Sequence, residues 1–586
     1  MAGSARRWSG ATKPLSPHTP ISEHHGEQES HSMRPRGPLV TNEPSRDHTL
    51  DHRRGFIVLA PLAVAALLFL PGIGQRILYS GDEARYALLA RNMVETGDWL
   101  VPRIGNDVHM EKSPLFIWSI AAFSLARRDV TELTAVLPAA LSGIAGVGAT
   151  LLLGRRMFNA GTGLLGALIL ATTWGYYWHA RLALADMMVT FFIVVSLVAF
   201  WAGAADGAGR RWPMALFWLC LGLGYSAKGP AGLMPLLPCA VFLVIEHGWR
   251  GLGRLHPLMG VAIVALVSAP WALAFALQRD ESYVQSVLLG DYLAPRLQPW
   301  DRFSELFFVV GPIGVGFLPW TLFLPSAVRH GWWSAEDEDV RRRFRFLLIW
   351  VVVYAVVITI LPHKRERYLL PTYPVLAIMI GWLWDQWARR PAPSSLRKHG
   401  WAWAVLAIAM SLVVLLPPPV RLEQAVLIPA TFGGKLVLVG LLLATAVITI
   451  VTARMGRPLF TFAAVCAPMA LILAYETSIF VPAFNRSFDV KSFSQRLATK
   501  LAPEARLVTL GVGALPVEFY SHRSARAVRH PMEVEESLQD GGPVHLVADE
   551  RWWRVVNDTT GRAWSVWDRT SFAGKAVVVA SPGERP

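Results

Sequence analysis

The feature that most constrains this fold is a long series of apolar runs, each close to membrane-spanning length. A transmembrane helix needs about 20 mostly apolar residues, and about thirteen such runs follow one another along the chain. They cover 55–74, 134–153, 161–180, 187–204, 212–227, 230–246, 257–277, 304–327, 345–361, 367–387, 401–417, 435–453 and 457–475. Hydrophobic residues make up 53% of the chain and charged residues only 17%. The sequence therefore predicts an all-α polytopic membrane protein with about thirteen transmembrane helices.

The distribution of Lys and Arg predicts the orientation of these helices. Cationic residues favour cytoplasmic loops, and dense groups such as the one at 341–345 fall inside if the N-terminus is cytoplasmic. An odd number of spans then leaves the C-terminus outside. The formal net charge of +14 is expected of loops that face anionic lipid, so we expect no nucleic-acid partner. Residues 1–54 carry little apolar content and are predicted to be a disordered cytoplasmic tail.

The last hundred residues have a different pattern. Three short apolar segments, RLVTLG at 506–511, VHLVA at 544–548 and AVVVA at 576–580, alternate with the helix-like segments ALPVEFYSH and PMEVEESLQ. This alternation predicts a small α/β domain over 480–586, which the predicted topology places outside. The three cysteines, Cys220, Cys239 and Cys466, lie in apolar runs, where a thiol behaves as a small hydrophobic group.

The outward loop at 75–133 is dense in charged motifs and is the first candidate site. Ser80 and Glu83 have the spacing of a capping box that begins an amphipathic helix. On that helix Asp82, Arg85 and Tyr86 are three and four residues apart and therefore share one side. A structural ion pair of Asp82 with Arg85 is the simpler alternative.

The second half of this loop contains a Glu-Lys pair. Lys112 is a point charge suited to a phosphate, although an interfacial Lys can also extend toward lipid headgroups. His109 beside Glu111 could contribute to a site for a divalent metal ion. Two ligands do not make a metal site, so the metal stays an open alternative.

Further cationic candidates lie in later outward segments. Lys364, Arg365 and Arg367 form a dense group that breaks the positive-inside pattern, as expected of an anion site or of residues that contact headgroups. Lys228 beside Gly229 is another candidate that would face a cavity.

The remaining candidates are a carboxylate and a loop. Asp186 lies at the edge of an apolar run, where an unpaired charge is costly, so it either faces a cavity or pairs with Arg181. The loop at 278–302 combines Tyr, Trp, Asp and Arg residues, which suit sugars and phosphates but also suit a plain interfacial loop.

The series DE-x-RY, GDW-x-VP and x-EK-x-P resembles the bacterial aminoarabinose transferase family, within the polyprenyl-phosphate-dependent glycosyltransferases related to protein O-mannosyltransferases. The similarity extends over most of the chain from about residue 55. It implies a GT-C fold, with a catalytic first periplasmic loop and an inner-membrane transferase domain at 55–479. The Pro of the third motif lies one residue later here than in the family, and HKRERYLLP at 363–371 is closer to other lipid-linked sugar transferases.

The resemblance also implies roles for individual residues. Asp82 corresponds to the catalytic carboxylate of the family, with Glu83 beside it, and a second functional aspartate corresponds to Asp186. Lys112 is associated with the carrier phosphate and Glu111 with a bound cation. Arg85 belongs to the first motif. The side chains expected to bind the carrier phosphate are Arg85, Lys112, Lys228, Lys364, Arg365 and Arg367.

The expected activity is transfer of one sugar, 4-amino-4-deoxy-L-arabinose, from undecaprenyl phosphate to lipid A or a related envelope acceptor on the periplasmic face. Asp82 would act as a general base toward a hydroxyl acceptor. It would orient an acceptor that is already ionised, or stabilise positive charge on the sugar. Three alternatives stay open: transfer of mannose or galacturonic acid to protein or lipopolysaccharide core, transport of a lipid-linked sugar, and an envelope scaffold.

Overall fold

The computed structural model describes residues 48–583 except for 106, 110–111, 207–208, 278–307, 362–363, 390–393, 417–431, 503–504, 540–542, 561 and 573–574. Helices dominate as far as residue 500, and strands appear mainly after it. The α-helices are His48–Phe69, Gly81–Thr96, Pro114–Ser124, Glu132–Met157, Ala160–Ala171, Trp174–Ala180, Asp186–Phe200, Arg211–Lys228, Leu236–His247, Pro257–Ala276, Val310–Gly316, Leu324–Val328, Glu338–Ile360, Tyr373–Arg389, Ser394–Leu415, Phe432–Arg454, Pro458–Tyr475, Val481–Ser487, Val490–Lys500, Ala514–Ser521, Pro531–Gln539 and Glu550–Thr559.

Each of the thirteen predicted apolar runs contains helix, which confirms the polytopic fold. Within the described residues, 6 helices are continuous and apolar enough to cross a membrane, and the number rises to 9 if each bent helix pair is counted as one span. The other runs are shorter or interrupted helices. Short 3-10 or π-helical turns interrupt or extend several of them, at Trp201–Ala205, Gly229–Leu233, Trp249–Leu255, Trp320–Phe323, Arg329–Trp333, Glu366–Thr372 and Glu476–Phe480.

One of the bends positions a candidate site residue. The segments Arg211–Leu233 and Leu236–His247 meet at 62°. Gly229 ends the first helix with a φ of +58°, a conformation that costs glycine little. The helix therefore stops at Lys228, so that this cation lies at a helix end rather than along an apolar side.

The beginning of the chain differs from the predicted tail boundary. The first described helix begins at His48 and not near residue 55, so the last seven residues of the predicted tail are helical. The helix extends past its apolar part because each added residue continues the same pattern of backbone hydrogen bonds. Residues 1–47 of the predicted tail lie outside the described part of the chain.

The loop at 75–133 contains the predicted helix, Gly81–Thr96, called here the first-loop helix. Tyr86, Leu89, Ala90 and Met93 recur at i, i+3, i+4 and i+7, the spacing of one face of an amphipathic helix, and all four are buried. The capping box is not formed, because the Ser80 side chain makes no capping hydrogen bond. Glu83 is instead bound by other partners. Two short antiparallel strands, β1 (Arg103–Ile104) and β2 (Asp107–Val108), follow the helix.

The C-terminal region is the predicted α/β unit. Its strands are β3 (Arg506–Leu510), β4 (Ala525–Val528), β5 (Val544–Asp549), β6 (Trp564–Phe572) and β7 (Lys575–Pro582). They form one sheet in the order β4-β3-β5-β7-β6, in which β3 pairs in parallel with β4 and β5. The three predicted strands and both predicted helices are present, whereas β4 and β6 were not predicted. β4 has the burial pattern of one buried residue, two exposed and one buried, which departs from simple alternation.

This α/β unit is held against the loop at 75–133 by polar contacts. The buried Arg91 of the first-loop helix donates to the carbonyl oxygen of Phe519 at 2.6 Å, and its guanidinium lies over the Phe519 ring. The Lys491 ammonium lies 2.6 Å from the Glu132 carboxylate. The hydroxyl of Tyr520 accepts a hydrogen bond from the backbone N–H of Leu78 at 2.8 Å. The α/β unit therefore supports the first loop through these contacts.

Candidate active site

Two carboxylates and two cations that are distant in the chain meet at one place. Arg367 donates to Asp82 at 2.7 Å, and its Nε lies 3.6 Å from the carboxylate of Asp186. Lys228 forms a hydrogen-bonded ion pair with Asp186. Arg367 therefore bridges the first-loop helix, which carries Asp82, and the N-terminus of the helix Asp186–Phe200. The other two elements are the turn Glu366–Thr372 and the helix end at Lys228.

The two carboxylates differ in exposure. The Asp82 side chain is 26% exposed and that of Asp186 only 5% exposed. Asp82 is therefore the carboxylate that an incoming molecule reaches, whereas Asp186 is enclosed by Lys228 and Arg367. An acidic residue in the first turn of a helix is also favoured by the helix dipole, which fits Asp186 at its helix start.

The charges around Asp82 hold it in the ionised form. Partial burial raises the pKa of the Asp82 carboxyl, but the hydrogen bond and the charge of Arg367 together with the charges of Lys112 and Arg85 outweigh burial, so that the net pKa lies below the ordinary value. Such a carboxylate stays deprotonated at neutral pH and can accept a hydrogen bond or stabilise positive charge.

The cations exceed the carboxylates in this cluster. Besides Arg367 and Lys228, Arg85 lies 3.9 Å from Asp82, and the Lys112 ammonium lies 5.7 Å from the centroid of the Tyr86 ring. Within the described part of this cluster, four cations thus face two carboxylates. Among the described residues, the Nε atoms of Arg85 and Arg367 have no hydrogen-bond acceptor although both are buried. The cluster has donor capacity left for an anion.

The two other predicted cations occupy a different position. Arg365 is exposed and Lys364 half-buried, and the ion pairs of Asp82 and Asp186 within the described residues do not include them. Arg367 is therefore the member of the predicted basic group that the structure brings to the carboxylates. Tyr368, next to it, places its ring 4.8 Å from the Lys228 ammonium.

Glu83, the neighbour of Asp82, is buried and fully engaged. Its side chain is 2% exposed and lies 2.5 Å from Arg76. The same carboxylate oxygen accepts the backbone N–H of Ala183 at 3.1 Å. Because this N–H belongs to the segment just before Asp186, Glu83 connects the first-loop helix to the turn that carries the second aspartate.

The predicted alternative partner of Asp186 is wrong. Arg181 does not pair with Asp186, since its Nε donates to the buried Glu476 at 3.3 Å and its Nη1 donates to backbone carbonyl oxygens that include that of Pro71 at 2.7 Å. Tyr177 also donates to Glu476. Sequence reasoning missed Glu476, but a signal exists: it is the one acidic residue between 458 and 488, and a lone carboxylate at the end of an apolar run needs a partner.

The described residues do not supply a metal site. No three His, Cys, Asp or Glu side chains gather there closely enough to hold an ion, and Glu111 lies outside the described residues. His109 is instead near the α/β unit, where it acts on Glu518. Burial and the charge of Asp107 raise the pKa of Glu518, while His109 opposes that rise. The predicted loop at 278–302 also lies outside the described residues.

Family models and curated proteins match parts of this sequence. Residues 111–273 match the model of dolichyl-phosphate-mannose-protein mannosyltransferases, and residues 304–417 match the Alg9-like mannosyltransferase family. An undecaprenyl phosphate-α-4-amino-4-deoxy-L-arabinose arabinosyl transferase of Edwardsiella ictaluri is 28% identical over 338 residues, which cover 56% of this chain and 58% of that protein. A protein of the same name from Pseudomonas paraeruginosa is 29% identical, and the match covers 62% of this chain and 66% of that protein.

Solved structures extend the likeness to nearly the whole chain. ArnT from Cupriavidus metallidurans bound to undecaprenyl phosphate superposes with a TM-score of 0.71 and 22% identity, over 90% of this chain and 98% of that one. This chain is similar in sequence to aminoarabinose transferases over more than half of its length. It shares their GT-C fold, which confirms the predicted fold class. An oligosaccharyltransferase of Archaeoglobus fulgidus is a more distant neighbour, with a TM-score of 0.52 and 11% identity over 84% of this chain and 69% of that one. The chain spans about three fifths of the length of the curated relatives named above.

Proposed function

We propose that this protein transfers a sugar, 4-amino-4-deoxy-L-arabinose, from undecaprenyl phosphate to lipid A or a related envelope acceptor. The reaction takes place on the periplasmic face of a bacterial inner membrane, with the N-terminus cytoplasmic and the α/β unit periplasmic. The observation that carries the proposal is the bridging of Asp82 and Asp186 by Arg367, with Lys228 beside them. The names of the curated relatives support the choice of sugar and carrier.

The chemistry follows from the charges of the cluster. When the bond between the anomeric carbon and the phosphate oxygen breaks, the electron pair stays with the phosphate, which gains negative charge. Fixed cations aimed at that charge stabilise the transition state more than they stabilise the ground state. Lys112, Arg85 and Arg367 are the side chains proposed to bind the leaving phosphate. They act in a partly buried site, where each attraction is stronger than in water.

Asp82 is the carboxylate proposed to face the reacting sugar. A hydroxyl acceptor loses its proton as the new bond forms, and the ionised Asp82 accepts that proton. A phosphate acceptor is already ionised, and Asp82 then stabilises the positive charge that develops on the sugar. Asp186 is proposed to keep Arg367 and Lys228 in place. Any divalent ion in this site would need ligands beyond the described residues, and no step depends on one.

The test is transfer by the purified protein in lipid nanodiscs, with radiolabelled polyprenyl-phosphate sugars and lipid A as acceptor. Asp82→Asn and Lys112→Ala are each expected to lower transfer at least about 100-fold, the scale of losing a positioned acid–base or charge-stabilising group. Glu95→Gln is the matched control, since Glu95 is exposed on the same helix. Full transfer by both variants would contradict the assigned site.

A second function is favoured by the family model over residues 111–273, whose description names mannose transfer to protein. In that case the same cluster would transfer mannose to a protein hydroxyl, with Asp82 as the base. The donor panel decides between the two, because only the aminoarabinose enzyme consumes the aminoarabinose donor and labels lipid A. Labelled protein with the mannose donor would favour the second function.

A further inference from the structure

The α/β unit has a topological switch point at the centre of its sheet. The chain runs from β3 through the helix Ala514–Ser521 to β4 on one side of β3. It then crosses through Pro531–Gln539 to β5 on the other side. At such a point the two connections diverge, and a crevice opens at the carboxyl ends of the two central parallel strands. Gly511 follows β3 at this edge and Asp549 ends β5.

A cavity lies at this same edge of the sheet, on the side of β5 that pairs with β7 rather than between β3 and β5. Its volume is about 560 Å³, which is within the range of sites for small molecules. Six charged or aromatic side chains line it: Asp549, Glu550, Arg551, Trp552, Arg554 and Lys575. The walls come from the end of β5, the start of the helix Glu550–Thr559 and the start of β7.

The backbone at Gly511 is fitted to the cavity wall. Its φ is +74°, and a Cβ at this position would lie 2.6 Å from Cδ1 of Trp552 and 3.1 Å from Cβ of Asp549. The position therefore excludes any side chain, for both conformational and steric reasons. The Lys575 ammonium donates to the carbonyl oxygen of Gly511 at 3.3 Å and lies 3.9 Å from Asp549. Gly511 and Trp552 therefore lie close together beside the cavity, and Lys575 reaches the Gly511 carbonyl oxygen from its exposed position.

The lining has the composition of a site for a sugar that carries a phosphate. Trp552 is 39% exposed and offers a flat apolar face to the C–H side of a sugar ring. Asp549 and Glu550 are acceptors for hydroxyl groups. Lys575 pairs with Asp549 and Arg554 pairs with Glu550, whereas the exposed Arg551 forms no ion pair within the described part of the chain. A free guanidinium is suited to bidentate phosphate binding.

We propose that this crevice binds a phosphorylated saccharide. The ligand is either the headgroup of an envelope glycolipid or a soluble sugar phosphate, since both present the same chemistry. The site is separate from the Asp82–Arg367–Asp186 cluster, and the proposal does not depend on the transfer reaction. It gives the α/β unit a binding role in addition to its support of the first loop.

The experiment measures hydrogen–deuterium exchange of residues 549–556 in the full-length protein in nanodiscs. Glucose 1-phosphate is added to plain nanodiscs in one arm, and lipid A is built into the nanodiscs in the other. Glucose and inorganic phosphate are added in two further arms. Protection by glucose 1-phosphate identifies a soluble ligand, and protection by lipid A alone identifies a glycolipid headgroup.

The variants make the result specific. Arg551→Gln combined with Lys575→Gln is expected to raise the ligand concentration for half-protection about ten-fold or more, because two charge-assisted contacts are lost. Both side chains are exposed, so the double variant should fold. Arg529→Gln, exposed elsewhere on the same unit, should behave as wild type. Asp82→Asn should keep the protection even if it abolishes transfer.

Three results would overturn the proposal. The first is absence of protection with both glucose 1-phosphate and lipid A. The second is equal protection by inorganic phosphate alone, which would reduce the crevice to a simple anion site. The third is an equal loss in the Arg529→Gln control, which would mean that net charge and not this crevice attracts the ligand.

Discussion

Glu83→Gln is the substitution that best separates the two adjacent carboxylates of the first-loop helix. The change keeps the size of the side chain and removes the charge that faces Arg76. Because Glu83 is 2% and Arg76 13% exposed, breaking their ion pair leaves a poorly solvated guanidinium, which costs about 3–5 kcal/mol. Arg76 keeps a 3.2 Å hydrogen bond to the carbonyl oxygen of Ile77, and the new amide oxygen can still accept the Ala183 N–H. We therefore expect a loss near the lower end, about 3 kcal/mol.

The assay is unfolding of the purified protein in mixed micelles, followed by tryptophan fluorescence, with transfer measured in parallel at a temperature where the variant stays folded. Glu83→Gln should lower the free energy of unfolding and keep most of the transfer rate. Asp82→Asn should lower the transfer rate and leave the free energy of unfolding largely unchanged. Glu95→Gln should change neither quantity. If Glu83→Gln left the stability intact and abolished transfer, Glu83 would be a chemical group and our structural interpretation of it would be wrong.

Three further predictions concern other contacts. Arg367→Gln removes a charge that lowers the pKa of Asp82. The acid limb of the pH profile of kcat/KM should therefore move to higher pH. An unchanged acid limb would show that Arg367 does not act on Asp82. Glu476→Gln should lower the free energy of unfolding by about 3 kcal/mol, because it leaves Arg181 buried without its carboxylate; unfolding at the wild-type denaturant concentration would refute this. Arg91→Ala should increase proteolysis of the α/β unit, because a buried hydrogen bond to Phe519 is lost, and unchanged cleavage would show that other contacts suffice.

Local patterns account for most of the elements. The apolar runs predicted the helices, and the amphipathic pattern of the first-loop helix predicted the burial of Leu89 and Met93. Leu88 and Arg91, which lie off that face, are buried too, and the pattern did not predict this. The segments RLVTLG, VHLVA and AVVVA became β3, β5 and β7. A helix or strand that is buried on one side needs apolar side chains at regular intervals, and these intervals can be seen in the sequence. β4 and β6 were missed because they are weakly patterned strands on the outer sides of the sheet.

The capping box shows where local reasoning stops. Ser80 and Glu83 have the right spacing, yet Glu83 binds Arg76 and the Ala183 N–H instead. The competing partner lies 100 residues away in the chain, and no local rule contains it. The same limit applies to Arg181, whose predicted partner was five residues away and whose observed partner, Glu476, is 295 residues away.

The sequence by itself determined that this chain is a polytopic membrane protein with a small α/β unit, and it named Asp82, Asp186, Lys228 and Arg367 as separate candidates. Hydrophobic periodicity and the cost of a charge in an apolar run are local properties, so they can be inferred from the sequence without a structure. Only the tertiary structure decided that Arg367 joins the two aspartates, because that contact depends on how distant helices pack. Ion pairs between distant segments form where the fold brings charges within a few ångströms, and the chain order does not record that distance.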